Sequence, residues 1–151
     1  MQAELRTEWL FDLRATVDFS KIHEIGDSGS GSRRIFPVTG GTVDGPHFHA
    51  TLLPFGADFA VVRSDSVSVL DVRVIAQTVD GAEVYITYSG LTHDLPLGPL
   101  TSPADGERYF RTTPRFETAS EKYSWLNRIL TVGVGRFEPP STVAYRIYAI
   151  L

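Results

Sequence analysis

Leu70-Asp71-Val72-Arg73-Val74-Ile75-Ala76-Gln77-Thr78-Val79-Asp80-Gly81-Ala82-Glu83-Val84-Tyr85-Ile86-Thr87-Tyr88 alternates apolar and polar side chains on both sides of an Asp-Gly pair. Leu70, Val72, Val74 and Ala76 share one face of an extended chain, while Asp71, Arg73 and Gln77 share the other. This period of two is the mark of a half-buried strand. Val84, Ile86 and Tyr88 repeat it against Glu83, Tyr85, Thr87 and Ser89. Asp80-Gly81 between the two runs reads as a two-residue type I′ loop, since Asp and Gly tolerate the positive φ angles that such a turn demands.

The same pattern extends outward to both termini. Trp9, Phe11, Leu13, Ala15 and Val17 form one row; Val143, Tyr145, Ile147, Ala149 and Leu151 form another. Gly40-Gly41, Asp44-Gly45-Pro46, Pro54-Phe55-Gly56 and Pro96-Leu97-Gly98-Pro99 read as breaks between strands. Gly26 to Ser32, rich in Gly and Ser, reads as a flexible loop; it lacks the spacing and the lysine of a P-loop. Thr118 to Asn127 is the one place for a short helix, with Thr118 as cap and Glu121 three residues later. About eight to ten short strands imply a sandwich or a barrel. Polar residues along one strand face and aromatics along the other favour a closed antiparallel barrel with a mixed lumen.

The 151 residues suffice for one domain, 1–151, that folds without a staple. With no cysteine there is no disulfide, zinc–thiolate site or cysteine nucleophile. The charged start Met1-Gln2-Ala3-Glu4-Leu5-Arg6 is unlike a signal peptide, and no apolar run has the length of a membrane span. A net charge of −4 with scattered basic residues argues against nucleic acid as a partner. The chain therefore reads as a soluble cytoplasmic globule without a nucleic-acid or membrane partner.

Arg33-Arg34-Ile35-Phe36-Pro37-Val38-Thr39-Gly40-Gly41-Thr42-Val43-Asp44-Gly45-Pro46 resembles a block of the proteins grouped as domain of unknown function 3237, or uncharacterised protein family 0311. Gly56-Ala57-Asp58-Phe59, Leu70-Asp71-Val72-Arg73 and Thr78-Val79-Asp80-Gly81-Ala82 continue the resemblance. Tyr109 to Thr118 and Tyr123-Ser124-Trp125-Leu126-Asn127-Arg128 complete it, in the family's order. It implies a calycin-like or similar small β-barrel that forms homo-oligomers. It names no chemistry.

Candidate functional residues follow from side-chain type and position. Tyr109, Arg111 and Thr113 share a strand face, and the Arg111 guanidinium suits a carboxylate or enolate oxygen. The alternative is an ion pair of Arg111 with Asp71 or Glu117. Asp58 follows a glycine bend, so it belongs at a strand's mouth. Held against Phe55 and Phe59 it would be a desolvated acid or base; otherwise it caps a turn. Asp71 and Arg73 read as a surface ion pair. His47 and His49 would share a face of an extended run, but no third ligand follows by spacing, so no metal is expected. Gly133-Val134-Gly135 is too short for a dinucleotide fingerprint. Trp125 reads as a plug or lid, and Asn127 either orients a ligand carbonyl or ties down a loop.

These readings converge on a barrel whose lumen takes a small, largely apolar organic molecule. Arg34, Asp58, Tyr85, Tyr109, Arg111, Trp125 and Asn127 are its candidate contacts. An enzymatic version is a cofactor-free isomerase, cyclase or hydratase, with Asp58 as acid or base and Arg111 on the oxyanion. The alternative is a non-catalytic structural or oligomeric protein whose barrel its own side chains fill.

Overall fold

The computed structural model describes residues 3–93 and 108–151. The alternating runs become eleven strands: β1 (Thr7–Val17), β2 (His23–Asp27), β3 (Ser32–Asp44), β4 (His49–Leu52), β5 (Ala57–Val62), β6 (Val67–Gln77), β7 (Glu83–His93), β8 (Phe110–Thr112), β9 (Arg115–Glu117), β10 (Thr131–Glu138) and β11 (Thr142–Ile150). Among the described residues two short 3-10 turns, Phe19–Lys21 and Ser124–Arg128, interrupt them.

The pairings are antiparallel. Taken in the order β3, β1, β11, β10, β8, β7, β6, β5 and back to β3, they close an eight-stranded barrel. Closure leaves these strands without a free edge, which removes the exposed row of N–H and C=O groups that an open sheet presents. The remaining strands patch places where a barrel strand stops short. β4 bridges β3 and β6 beyond the reach of β5, and β9 takes the side of β7 that β8 leaves. β2 lines the part of β3 that extends past β1.

One face of each run fills the interior. Phe11, Leu13, Val43, Val74, Val84, Ile86, Phe110 and Ile147 are at most 1% exposed. Each such side chain contributes roughly 1.5–3 kcal/mol by leaving water. The mixed lumen expected from the sequence is therefore corrected: the inner faces are mainly apolar, with few polar groups, Asp58 and Arg34 among them. Trp9 and Leu151 also leave their inward rows. A register shift between Trp9 and Phe11 turns the indole outward, and Leu151 lies past the end of β11.

Several turns differ from expectation. The β6–β7 hairpin forms, but Gln77 pairs with Glu83 and the intervening loop is longer than two residues. The Gly81 N–H donates to the Thr78 carbonyl, the Thr78 N–H donates to the Ala82 carbonyl, and only Gly81 has positive φ, +86°. A type I′ turn would need Asp80 there too. Gly40-Gly41 does not end a strand but sits inside β3, where the strand bends and exchanges β5 for β4. Gly26 to Ser32 is the tip of the β2–β3 hairpin, tightened by Asp27 Oδ1 accepting from the Gly29 N–H at 2.7 Å. Thr118 to Asn127 forms no α-helix; only its end coils, as the 3-10 turn. Pro96-Leu97-Gly98-Pro99 lies outside the described residues.

Candidate active site

An apolar cavity of about 30 Å³, the space of a water or two, lies inside the barrel. Phe36, Val38, Leu70, Val72, Phe110 and Phe137 form much of its wall, and Phe19, on the 3-10 turn after β1, closes one side. Its ionisable members are Asp58, Tyr88 and Tyr145.

The chain delivers Asp58 there through the Pro54-Phe55-Gly56 turn. Gly56 adopts φ +92° and lies so close to β6 that a Cβ would stand 1.8 Å from the Arg73 carbonyl oxygen. This approach seats the start of β5 between β3 and β6, with Asp58 opposite Phe36 and Val72. Asp58 Oδ1 accepts the Asp71 backbone N–H at 3.0 Å. Burial pushes the carboxyl up to about 7; the Asp71 N–H opposes that rise, and the Asp71 charge adds to it. Near neutral pH the group is thus split between acid and carboxylate, the condition for giving and taking protons.

Tyr88 on β7 and Tyr145 on β11 face each other across the lumen, ring centroids 5.0 Å apart and planes inclined by 66°. The two buried phenols act on each other's ionisation, Tyr145 favouring and Tyr88 opposing loss of the other's proton. Burial raises both phenols, which therefore stay neutral. Phe110 stacks edge-on against Tyr145 at 5.4 Å and fixes its ring. One carboxyl and two adjacent phenols thus share an apolar lining, a set of groups able to give and take protons. Among the described residues, no group of three His, Cys, Asp or Glu side chains is placed to hold a metal.

The other candidates scatter. Arg34 points inward on β3, two residues from Phe36, with its Nε buried and without a hydrogen-bond partner. Tyr109, Arg111 and Thr113 do share a face, but it is the outer one, because Phe110 and Thr112 between them are buried. Arg111 donates to the Phe110 carbonyl at 2.9 Å and lies over the Tyr109 ring at 5.2 Å, so neither joins Asp58. Tyr85 also faces outward, since its neighbours Val84 and Ile86 fill the core. Trp125 packs at the opposite end of the barrel, beside Leu10, Tyr123 and Ile129, as a plug. Asn127 is exposed and ties down a loop, accepting from the Thr118 N–H at 2.8 Å and donating to the Thr118 carbonyl at 2.9 Å.

The aromatic neighbours expected for Asp58 are replaced as well. Phe55 is 57% exposed and Phe59 lies on the outer face of β5, so Phe36, Tyr88 and Tyr145 supply the apolar surroundings. Asp71 and Arg73 form the expected exposed pair at 3.8 Å. His49 starts β4 and meets Asp44 Oδ1 at 3.0 Å, whereas His47 stays in the preceding turn. Sequence reading counted Tyr88 and Tyr145 as apolar rows and missed their chemistry. The signal was there: a phenol in an inward row needs a partner for its hydroxyl.

A closed eight-stranded barrel with an enclosed acid and a phenol pair is the class that fold and site define. The chain belongs to the family described as "Protein of unknown function (DUF3237)", whose model matches residues 5–150. UPF0311 protein RPA1785 of Rhodopseudomonas palustris is 37% identical over 139 residues, 88% of this chain and 89% of that protein. Its crystal structure superposes with a TM-score of 0.88 at 32% identity, covering 99% of this chain and 100% of that one. A β-barrel-like protein (ABAYE2633) of Acinetobacter baumannii has a TM-score of 0.85 at 29% identity, over 100% and 99% of the two chains. A Penicillium herquei protein named hydroalkoxylation enzyme phnH is 27% identical over 126 residues, 83% of this chain and 71% of that protein.

Proposed function

We propose that this protein is a cofactor-free acid–base enzyme that adds an oxygen nucleophile across a carbon–carbon double bond of a small, largely apolar molecule. The observation that carries the reading is Asp58, enclosed by apolar side chains beside Tyr88 and Tyr145 and poised near neutrality. The similarity to a fungal hydroalkoxylation enzyme supports the choice among isomerisation, cyclisation and hydration. In the proposed step the Asp58 carboxyl gives its proton to one alkene carbon. The substrate hydroxyl oxygen bonds to the other carbon, and the hydroxyl proton passes to the Asp58 carboxylate, directly or over the phenol pair. A C–H and a C–O bond form, an O–H bond and a π bond break, and the enzyme returns to its starting state. The apolar wall excludes water that would otherwise capture the cation.

The test uses 2-(3-methylbut-2-enyl)phenol in D₂O. Expected are cyclisation faster than in buffer, one deuterium on carbon in the cyclic ether, and a loss of about 10²–10⁴-fold in Asp58→Asn. No turnover of this or any related alkenyl phenol, or an Asp58→Asn variant as fast as the parent, overturns the assignment.

A second reading has an observation of its own. A cavity of about 30 Å³ is too small for such a substrate without movement of its wall, which favours a barrel filled by its own side chains. That reading requires that no alkenyl phenol raises the melting temperature.

A further inference from the structure

Of the four buried side-chain polar atoms that find no hydrogen-bond partner among the described residues, three are Arg34 Nε, Ser68 Oγ and Thr92 Oγ1. Strand alternation places all three. On β3, Arg34 is one inward position beyond Phe36; on β6, Ser68 is one inward position beyond Leu70; on β7, Thr92 is two inward positions beyond Tyr88. Phe36, Leu70 and Tyr88 all line the cavity. β3 and β6 run parallel to each other and β7 runs against them, so each step leads towards the same end of the barrel. Ser68 and Thr92 face each other in register and are fully buried.

The cavity is therefore apolar around Asp58, and one or two inward positions beyond its wall, towards one end of the barrel, stand a cation and two hydroxyls with unused hydrogen-bonding capacity. Native proteins rarely leave buried polar groups unpaired, and several of them towards one end of a lumen mark a place where something else completes the set. Arg34 has one loose partner, Glu24, whose Oε1 is 3.8 Å from Nε and whose side chain is 65% exposed. A carboxylate that far away and that well solvated leaves the guanidinium free to accept a better one. Arg34 and Asp58 stand on neighbouring strands, with Arg34 further towards that end, so one ligand could meet them with different parts. Along β3, Arg34 is two residues from Phe36, the register partner of Asp58, a step of about 7 Å that is comparable with the length of two fused rings.

We infer that Arg34, with Ser68 and Thr92 towards the same end of the barrel, anchors an anionic oxygen, so that the molecule taken into the lumen is an acidic aromatic: a carboxylate, or an ionised phenol or enol. This rests on the reading of the lumen as a ligand site and adds the class of ligand. The apolar body would lie against Phe36 and Leu70, with the reacting end at Asp58 and the anionic end on the arginine. Arginine suits the task because it stays charged at every working pH and offers parallel donors to two oxygens.

The experiment is isothermal titration of the parent protein with 2-naphthoate and with its neutral counterpart 2-naphthamide at pH 8, with amide NMR shifts at Leu70 and Val72 to place the probe. The parent is expected to bind the carboxylate at least about tenfold tighter. Arg34→Met should cancel that preference while keeping the amide affinity, and Arg34→Lys should retain part of it. Equal affinities in the parent, or a preference that survives in Arg34→Met, overturn the anchor; binding of both probes at Leu70 and Val72 would then leave the lumen reading standing. Failure of both probes to bind overturns the anchor together with the reading beneath it.

Discussion

At the scale of single residues, Asp58 is a carboxyl strongly displaced from its ordinary titration by burial. Its carboxyl titrates near 7 in the folded barrel against 3.8 for an ordinary aspartate, so the native state holds the proton more firmly than the unfolded chain. The linkage sign follows: stability is fully present below about pH 4, falls as pH rises towards 7, and stays low above it. The difference corresponds to about 4 kcal/mol at roughly 1.4 kcal/mol per pH unit. Asp58→Asn keeps an oxygen for the Asp71 N–H and removes the charge. Urea midpoints at pH 5 and pH 8 should therefore differ strongly in the parent and little in the variant; equal pH slopes would show that Asp58 is not desolvated. The sequence made Asp58 legible as a carboxylate following a glycine bend. It did not reveal the neighbours, because Phe36, Tyr88 and Tyr145 reach it from β3, β7 and β11, strands distant in sequence. Arg111 failed for a simpler reason. Period-two alternation separates two faces, and with Phe110 and Thr112 as its neighbours nothing local says which of them is the lumen.

At the scale of elements, glycine marked several bends, but the kind of bend depended on what lay across from it. Gly81 and Gly41 make the comparison. Both have positive φ, +86° and +146°; a Cβ on Gly81 meets nothing within 4 Å, whereas one on Gly41 would stand 2.0 Å from the Arg14 carbonyl oxygen. Gly81→Ala should cost only the left-handed backbone penalty, about 1–2 kcal/mol. Gly41→Ala must also part β1 from β3 at the barrel seam, and roughly 3 kcal/mol or more is expected from guanidinium unfolding. Similar losses in the two variants would mean that the seam is loosely held. Sequence reading took Gly40-Gly41 for a break because it could see the backbone freedom and not the approaching strand. The same limit applies to Thr118 to Asn127, where a cap pattern suggested a helix. Asn127 instead holds both backbone groups of Thr118. Asn127→Ala should lower stability by about 1–2 kcal/mol and leave ligand affinity unchanged, since the residue is remote from the lumen. A change in affinity at constant stability would return it to the site.

At the scale of the whole molecule, the interior is a compromise between packing and access. Most of the barrel could be read from alternation and turn spacing; lumen size could not, because it depends on how side chains from eight strands meet at one point. Phe110 shows how. Its ring is fully buried, touches Phe137 at 5.1 Å and Tyr145 at 5.4 Å between centroids, and lies where a Cβ on Gly135 would approach to 2.5 Å. The glycine on β10 thus makes room for the aromatic on β8, and the aromatic fills space that a ligand would otherwise take. Phe110→Ala exchanges that filling for volume. It should destabilise the barrel by about 3–5 kcal/mol, the usual cost of emptying a buried aromatic site. If the lumen is a binding space held nearly closed, naphthalene should enter the enlarged cavity and restore part of the loss. At one hundred times its dissociation constant it would return about 2.7 kcal/mol, readable as a rise in melting temperature that the parent shows to a smaller extent. A barrel built only to be packed would respond differently: the variant would collapse around the deletion, and naphthalene would not change its melting at any concentration.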